Sequence, residues 1–253
     1  MTPKYAVLFD IDGTLLLSDS AGRVALHAAL EAVYGTAGPI ESYAFHGKTD
    51  PQIVLELMAA AGLVEVEIRR LMPSLWPLYL ERLDHELGIR RRESRIRVLP
   101  GVLELLAELR TRPDLSMGLL TGNIEEGARR KLEAAGLAAG FGFGGYGSDS
   151  EDRPGIARVA LERFRSSLRD GEDGATPVVV GDTPADVACA RAVGGRAVAV
   201  ATGRHSLRDL EECGADAVFE DFSDASGVVE CILTLSGAGG SALGGAGANG
   251  GGR

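Results

Sequence analysis

Cysteine and histidine are scarce in this sequence, and neither occurs in a pattern typical of a disulfide framework or a metal site. Cys189, Cys213 and Cys231 are odd in number and show no CxxC spacing, so we expect buried, reduced thiols. The four histidines are scattered without the spacing of metal ligands, which argues against a zinc site.

Long apolar runs are absent as well. No run approaches the ~18 residues that a membrane helix requires. The first residues, Met-Thr-Pro-Lys, lead directly into a strand pattern and show no signal peptide. We therefore expect a cytoplasmic protein that does not bind membranes.

Basic residues are outnumbered by acidic ones. The chain has 26 Lys and Arg against 36 Asp and Glu, which gives a formal net charge of -10. This balance argues against nucleic acid or an anionic membrane as the main partner. A small anionic substrate would need local cations in order to bind.

The residues that are abundant indicate a folded domain followed by a tail. Hydrophobic residues make up 45% of the 253-residue chain, enough for a sizeable core. Glycine is frequent, but much of it lies in residues 237–253, GAGGSALGGAGANGGGR. This stretch has too few large apolar groups to offset its ordering entropy, so we predict a disordered tail without a role in chemistry.

One stretch near the start, YAVLFDIDGTLL, places two carboxylates at the end of a buried strand. Its apolar residues 5–9 are typical of a strand covered on both faces. Asp10 and Asp12 then point the same way, because side chains of an extended chain repeat with period two. Two carboxylates this close need a cation or a shared proton. The dipeptide Asp12-Gly13 taken alone favours a simple strand-ending turn, so the rest of the chain must decide.

The rest of the pattern predicts an α/β protein with a helical insertion. Residues 17–97 carry helical periodicity, including a helix that starts at Asp50-Pro51 with Asp50 as N-cap, and one over 64–87 that is bent or split near Pro73 and Pro77. From residue 98 onward strands alternate with helices, which predicts a doubly wound parallel sheet. We therefore expect a catalytic core of residues 1–16 and 98–236, with 17–97 as a helical cap.

Three of the predicted strands end in polar turns, FDIDGT, LLTGN and VVVGDTPAD. The carboxyl ends of parallel strands open at one edge of the sheet, where ligands bind. The side chains expected to converge there are those of Asp10, Asp12, Thr121, Asn123, Asp182 and Asp186. Several carboxylates beside a hydroxyl and exposed backbone amides predict a site for a hard cation and a phosphate group.

These motifs, DIDGT, TGN and GDTPAD in this order with a helical insertion after the first, resemble the haloacid dehalogenase superfamily. The insertion is similar to the cap of its phosphoglycolate phosphatase and β-phosphoglucomutase members. The resemblance covers roughly residues 4–225. It implies a Rossmann-like core and a hydrolase that acts on a small phosphate ester.

The resemblance also implies roles for the residues of the three motifs. Asp10 would be the nucleophile that forms an aspartyl-phosphate, and Asp12 the general acid and then the base. Mg²⁺ would be held by the carboxylates of Asp10 and Asp182 and the backbone carbonyl of Asp12, while Asp186 would hold the loop or reach the metal through water. The phosphoryl oxygens would be bound by Thr121, Gly122 and Asn123.

One position departs from the family pattern. The family usually has a lysine, often followed by proline, that joins the nucleophile to the phosphate, and this chain has Arg153-Pro154 there. The always-charged guanidinium of Arg153 can contact phosphate and carboxylate together. Arg158, further along the helix, is a less suitable substitute, and a surface arginine at a helix start is the alternative.

In the insertion, the polar loop AFHGKTD offers His46 and Lys48 as substrate contacts, because a cap of this kind lowers a loop onto the site. A helix-capping loop whose Lys48 faces solvent is an equal alternative.

Within the superfamily, Asp12 favours a phosphatase. A dehalogenase usually has an aromatic residue at this position, and a phosphonatase usually lacks the acid. A phosphomutase retains the same apparatus and stays open, as does a non-catalytic phosphate-binding module, although intact Asp10, Asp12 and Asp182 argue against the latter. The sequence predicts an Mg²⁺-dependent phosphatase of unknown oligomeric state.

Overall fold

A computed structural model of the protein describes residues 4–168 and 176–237. All residues of the predicted tail after Gly237 lie outside the described residues. No helix within 4–168 and 176–237 combines the length and the apolar character needed to cross a bilayer.

The main sheet is fully parallel and follows the buried strands that the sequence predicted. Its strands are β1 (Tyr5–Phe9), β4 (Leu115–Leu120), β5 (Phe143–Gly145), β6 (Val178–Gly181), β7 (Arg196–Val200) and β8 (Ala217–Phe219). They lie side by side in the order β5-β4-β1-β6-β7-β8. Strand β1 lies between β4 and β6, so the three strands followed by polar turns are direct neighbours.

Helices cover both faces of this sheet. They are α4 (Val102–Arg110), α5 (Glu125–Ala135), α6 (Arg153–Ser166), α7 (Pro184–Ala192), α8 (Leu207–Glu212) and α9 (Ala225–Ser236). Val7 and Phe9 pack on the side of α4 and α9, whereas Leu8 packs on the side of α6 and α7. This alternation follows the period of two along a strand, and it confirms the predicted Rossmann-like α/β fold.

The segment 17–97 forms a second hydrophobic cluster. Its helices are α1 (Ala21–Tyr34), α2 (Asp50–Ala60) and α3 (Glu65–Arg92). The chain enters and leaves this segment through two short antiparallel strands, β2 (Leu16–Leu17) and β3 (Arg97–Val98). We call 17–97 the cap segment; its role as a separate domain stays a prediction.

Two local expectations for the cap segment need correction. Helix α3 continues through Pro73 and Pro77, so of the two forms expected there, bent or split, the split form is wrong. The N-cap of α2 is Thr49, whose hydroxyl accepts from the Gln52 amide at 3.1 Å, and Asp50 is the first helical residue. The Asp50 carboxylate instead accepts a hydrogen bond from the backbone amide of Ile124 in the core, at 2.8 Å.

The three cysteines are free, and their burial differs. Cys189 is buried in α7 and Cys231 is half-buried, but Cys213 is exposed just after α8, which corrects the expectation that all three are buried.

Candidate active site

The loops that follow β1, β4 and β6 meet at one edge of the sheet and form the floor of a cavity of about 440 Å³. The Asp10 amide donates to the carbonyl of Val180 at 2.9 Å, which continues the β1–β6 pairing up to the first carboxylate. The cap segment forms the opposite wall with Arg23, His46 and Lys48. The fold thus brings together motif residues that are distant in the sequence. Asp12 and Asn123 are 111 positions apart and are hydrogen-bonded, as are Thr14 and Asp182, which are 168 positions apart.

Three buried carboxylates lie at one corner of this floor. One oxygen from each of Asp10, Asp182 and Asp186 lies within 4.8 Å of the other two. The Asp182 Oδ1 accepts from the Thr14 hydroxyl at 3.0 Å, whereas its buried Oδ2 has no hydrogen-bond partner within the described part of the chain. An unpaired buried carboxylate oxygen beside a second carboxylate fits a hard divalent cation.

Two glycines make room for the Asp182 carboxylate. A Cβ at Gly203 would lie 1.8 Å from Asp182 Oδ2, and a Cβ at Gly13 would lie 2.4 Å from the same atom. Gly13 also has a φ of +91°, a backbone conformation that residues other than glycine rarely adopt. The backbone can approach this carboxylate so closely only because both positions lack a side chain.

Burial raises the pKa of Asp10 to about 7, and the nearby Asp186 and Asp12 add to the effect, although Arg153 opposes it. Burial also raises the pKa of Asp182 well above its ordinary value, with Asp10 and Asp186 adding to it. Both shifts have the same physical origin, which is negative charge collected in a desolvated corner. A cation bound there would lower both pKa values.

Arg153 is the cation that the protein itself supplies at this corner. It is the first residue of α6, whose N-cap Asp152 accepts from the Gly155 amide at 2.9 Å. Its buried guanidinium forms an ion pair with Asp186, and its Nη1 lies 3.6 Å from Asp10 Oδ1. Arg158 lies on the exposed side of the same helix, so of the two arginines it is Arg153 that lies beside Asp10.

The Asp186 carboxylate is largely occupied by the protein. One oxygen pairs with Arg153, and the other accepts from the backbone amide and the hydroxyl of Thr183 at 3.0 and 2.7 Å. These bonds close a capping box at the start of α7. These contacts hold the Asp186 side chain against the loop, and which of the two roles left open by the sequence it has stays a prediction.

The loop after β4 presents a hydroxyl toward the cavity. Thr121 Oγ1 accepts from the side-chain and backbone amides of Asn123, at 2.8 and 3.3 Å, so its own proton is left to be donated. Gly122 is pressed against the cap segment, because a Cβ there would lie 2.1 Å from the carbonyl oxygen of Lys48. The Gly122 carbonyl accepts from the Asp50 amide at 2.8 Å, which fixes this loop against the start of α2.

The Asp12 carboxylate turns away from the carboxylate corner and meets a residue that sequence reasoning missed. Lys131 of α5 donates from Nζ to Asp12 Oδ2 and to Asn123 Oδ1, both at 2.6 Å. Lys131 is only 5% exposed. The available signal was its position in the buried stripe of α5, next to Leu132 and three residues after Ala128.

On the cap segment, the two predicted substrate contacts differ. Lys48 donates to Glu56 at 2.5 Å and to the Tyr43 hydroxyl at 2.9 Å, so its ammonium is already paired. His46 is exposed but lines the cavity, and its partial desolvation there, together with nearby Arg204, His205 and Arg23, lowers its pKa. Arg23, which the sequence did not single out, lies over the Phe45 ring at 4.4 Å and also lines the cavity.

Comparison with known proteins identifies the family. The sequence model of the haloacid dehalogenase-like hydrolase family matches residues 7–191 of this chain. A phosphoglycolate phosphatase from Synechococcus elongatus is 31% identical over 87% of this chain and 94% of its own length. A phosphoglycolate phosphatase from Rhodospirillum rubrum is 30% identical over 87% of this chain and 88% of its own.

A solved structure of a hydrolase from Pseudomonas syringae superposes with a TM-score of 0.60 at 25% identity, over 90% of this chain and 99% of that one. The match of the family model and the similarity to these relatives agree with the resemblance of the three motifs. The chain is an enzyme that belongs to the haloacid dehalogenase-like hydrolases.

Proposed function

We propose that this protein hydrolyses a small phosphate monoester through an aspartyl-phosphate on Asp10, with Mg²⁺ as cofactor. The observation that carries the proposal is the buried Asp10 carboxylate, whose Oδ1 lies 3.6 Å from Arg153 Nη1 and which shares its corner with Asp182, where Oδ2 is unpaired. The family and the phosphoglycolate phosphatase relatives support it.

Mg²⁺ would be held by Asp10, Asp182 and the backbone carbonyl of Asp12, with Asp186 behind them. When bound, it would neutralise charge on the nucleophile and the phosphoryl group. The donor set consists of hard oxygen atoms, as Mg²⁺ requires.

In the first half-reaction, a carboxylate oxygen of Asp10 attacks phosphorus and the bond to the ester oxygen breaks. Asp12 gives its proton to the leaving oxygen, which departs as an alcohol. The Thr121 hydroxyl and Arg153 stabilise the charge on the phosphoryl oxygens. In the second half-reaction, Asp12 takes a proton from water, the water oxygen attacks phosphorus, and the bond to Asp10 breaks with release of inorganic phosphate.

The substrate class follows from the cavity. A volume of about 440 Å³ suits a small metabolite. Arg23 and Arg204 line it in addition to Arg153, so a substrate with a second negative group, of the phosphoglycolate or sugar phosphate type, is the form we propose. The cytoplasmic location predicted from the sequence belongs to the same proposal.

The test is a panel of phosphorylated metabolites assayed with metal-free protein, with and without added Mg²⁺. We expect turnover with Mg²⁺ and none in EDTA. Reduction of the acid-quenched enzyme with borohydride should convert the phosphorylated residue to homoserine at position 10 and at no other aspartate. Full turnover in EDTA, or label at another residue, would refute the proposal, and transfer of the phosphoryl group to a second sugar hydroxyl instead of water would identify a phosphomutase.

A further inference from the structure

We propose that Lys131 is a positioning residue for the acid–base carboxylate of Asp12 and acts together with Asn123. This role rests on the proposed function, because it concerns the proton that Asp12 exchanges with the ester oxygen and with water. The role belongs to the core side of the site and to a helix that carries none of the three motifs.

The geometry consists of a closed set of hydrogen bonds. Lys131 Nζ donates to Asp12 Oδ2 and Asn123 Oδ1, both at 2.6 Å, and Asn123 Nδ2 donates to the same Asp12 Oδ2 at 2.8 Å. Asn123 Nδ2 also donates to Thr121 Oγ1 at 2.8 Å. Lys131 thereby sets the orientation of the Asn123 amide, which in turn contacts both the acid–base carboxylate and the phosphate-binding hydroxyl.

One oxygen of Asp12 is therefore held by two donors, and the other is left for proton exchange. Neither Lys131 nor Asn123 bonds to Oδ1. The Asp12 side chain is 39% exposed, so without these bonds it would be free to rotate into the cavity or toward the carboxylate corner. Holding a general acid in one orientation is worth much of its catalytic effect.

The surroundings of Lys131 argue against a purely stabilising role. Its side chain is 6% exposed, and burying an ammonium group carries a desolvation penalty that a single ion pair seldom exceeds. Gly22 of α1 packs next to it, since a Cβ there would be in ordinary contact with Lys131 Nζ at 3.5 Å and with the Tyr79 hydroxyl at 3.6 Å. The cap segment thus encloses this ammonium group at the place where it holds Asp12.

The experiment compares Lys131→Met with wild type on two aryl phosphates, p-nitrophenyl phosphate and phenyl phosphate. Phenolate is the poorer leaving group and depends more on the general acid. We expect kcat/KM to fall about tenfold more for phenyl phosphate than for p-nitrophenyl phosphate, within the ~10²–10⁴-fold that acid–base catalysis provides. Arg129→Met, on the exposed side of α5, is the matched control and should leave both values unchanged.

A double-mutant cycle then tests whether Lys131 acts through Asp12. In the Asp12→Asn background, Lys131→Met should change kcat/KM for p-nitrophenyl phosphate less than about threefold, because the group that it positions is gone. If Lys131→Met does not fold, Lys131→Gln replaces it: the glutamine side chain stays polar, but it is uncharged and one atom shorter, so it should no longer hold Asp12 and should show the same dependence on the leaving group.

The outcomes separate this role from the proposed function. Equal losses on both esters, or a full loss that persists in the Asp12→Asn background, would mean that Lys131 binds substrate or supports the fold, and would overturn the role. A wild-type enzyme that is inactive with Mg²⁺ on both aryl esters and on every ester of the metabolite panel would overturn the proposed function and this role with it.

Discussion

The cavity has two sides that are built differently: the floor that the core forms, which we call the core wall, and the opposite side that the cap segment forms, which we call the cap wall. On the core side, Asp10, Arg153, Asp182 and Lys131 are each no more than 7% exposed and are held by neighbours in the core. On the cap side, the Lys48 side chain is 28% exposed and His46 is exposed. We infer that the core wall is preorganised for the chemistry, whereas the cap wall is free to adapt to the part of the substrate that does not react.

The largest effect is expected at the centre of the core wall. Asp10→Asn keeps the shape of the side chain but replaces the carboxylate with a neutral amide, which is a weak nucleophile, so turnover should fall at least about 10⁴-fold, to background. Steady-state assays on the best ester of the panel measure this loss, and the thermal midpoint of the variant controls for folding. Substantial remaining turnover by a folded variant would mean that another residue is the nucleophile.

The next effect concerns the cation of the core wall. Arg153→Ala leaves Asp10 facing the phosphoryl group without its neighbouring positive charge, so kcat/KM should fall about 10²–10³-fold. Arg153→Lys should recover part of this, because the charge returns without the planar fork. Arg158→Ala is the matched control on the same helix, and a loss there with intact Arg153→Ala kinetics would contradict our assignment.

A smaller effect, on stability, follows from the raised pKa values of the core wall. Asp10 has a pKa of about 7 in the folded protein against an ordinary value of 3.8, so the folded state binds this proton more tightly than the unfolded state does. Its contribution to stability is therefore present at low pH and is lost as pH rises from about 4 through about 7.

Thermal midpoints of metal-free protein between pH 5 and 8 test this expectation. The difference in thermal midpoint between wild type and Asp10→Asn isolates the contribution of Asp10. The midpoint of wild type should fall relative to that of Asp10→Asn as pH rises. Mg²⁺ should stabilise wild type more at pH 8 than at pH 5, because the cation competes with the proton. A difference that is independent of pH would contradict the raised pKa.

The smallest effect is expected on the cap wall. The Lys48 ammonium is already paired with Glu56, so Lys48→Met should change kcat/KM less than about tenfold, mostly through KM. Glu56→Gln is the matched variant, because it releases Lys48 toward the cavity and should lower KM for esters with a second negative group. A collapse of kcat in Lys48→Met would show that the two walls are less distinct than we infer.

The fold and most of the core wall could be predicted from the sequence, because both depend on local patterns. Buried strands such as β1 and β6 read as short apolar runs, and the parallel order of the sheet brings together the turns that follow β1, β4 and β6. The roles of these residues in catalysis stay predictions.

What could not be predicted depends on contacts between distant parts of the chain. Lys131 meets Asp12 across 119 positions, and no motif surrounds it. Asp50 is a good N-cap by residue type, but its carboxylate binds the Ile124 amide of the core, which leaves the cap position to Thr49. The partner of a side chain, not its type, decided both cases.

The short pair of strands β2 and β3 has a consequence for how such enzymes diversify. Leu16 pairs with Val98 and Leu17 with Arg97, so the chain leaves and re-enters the core at neighbouring positions. Arg23, His46 and Lys48 all lie between these positions, whereas Asp10, Asp12, Lys131, Arg153 and Asp182 lie outside them. A recombination event that exchanges this one contiguous stretch between relatives would therefore transfer the substrate contacts proposed for the cap segment together, whereas Arg204 and the groups proposed for the reaction would stay with the core.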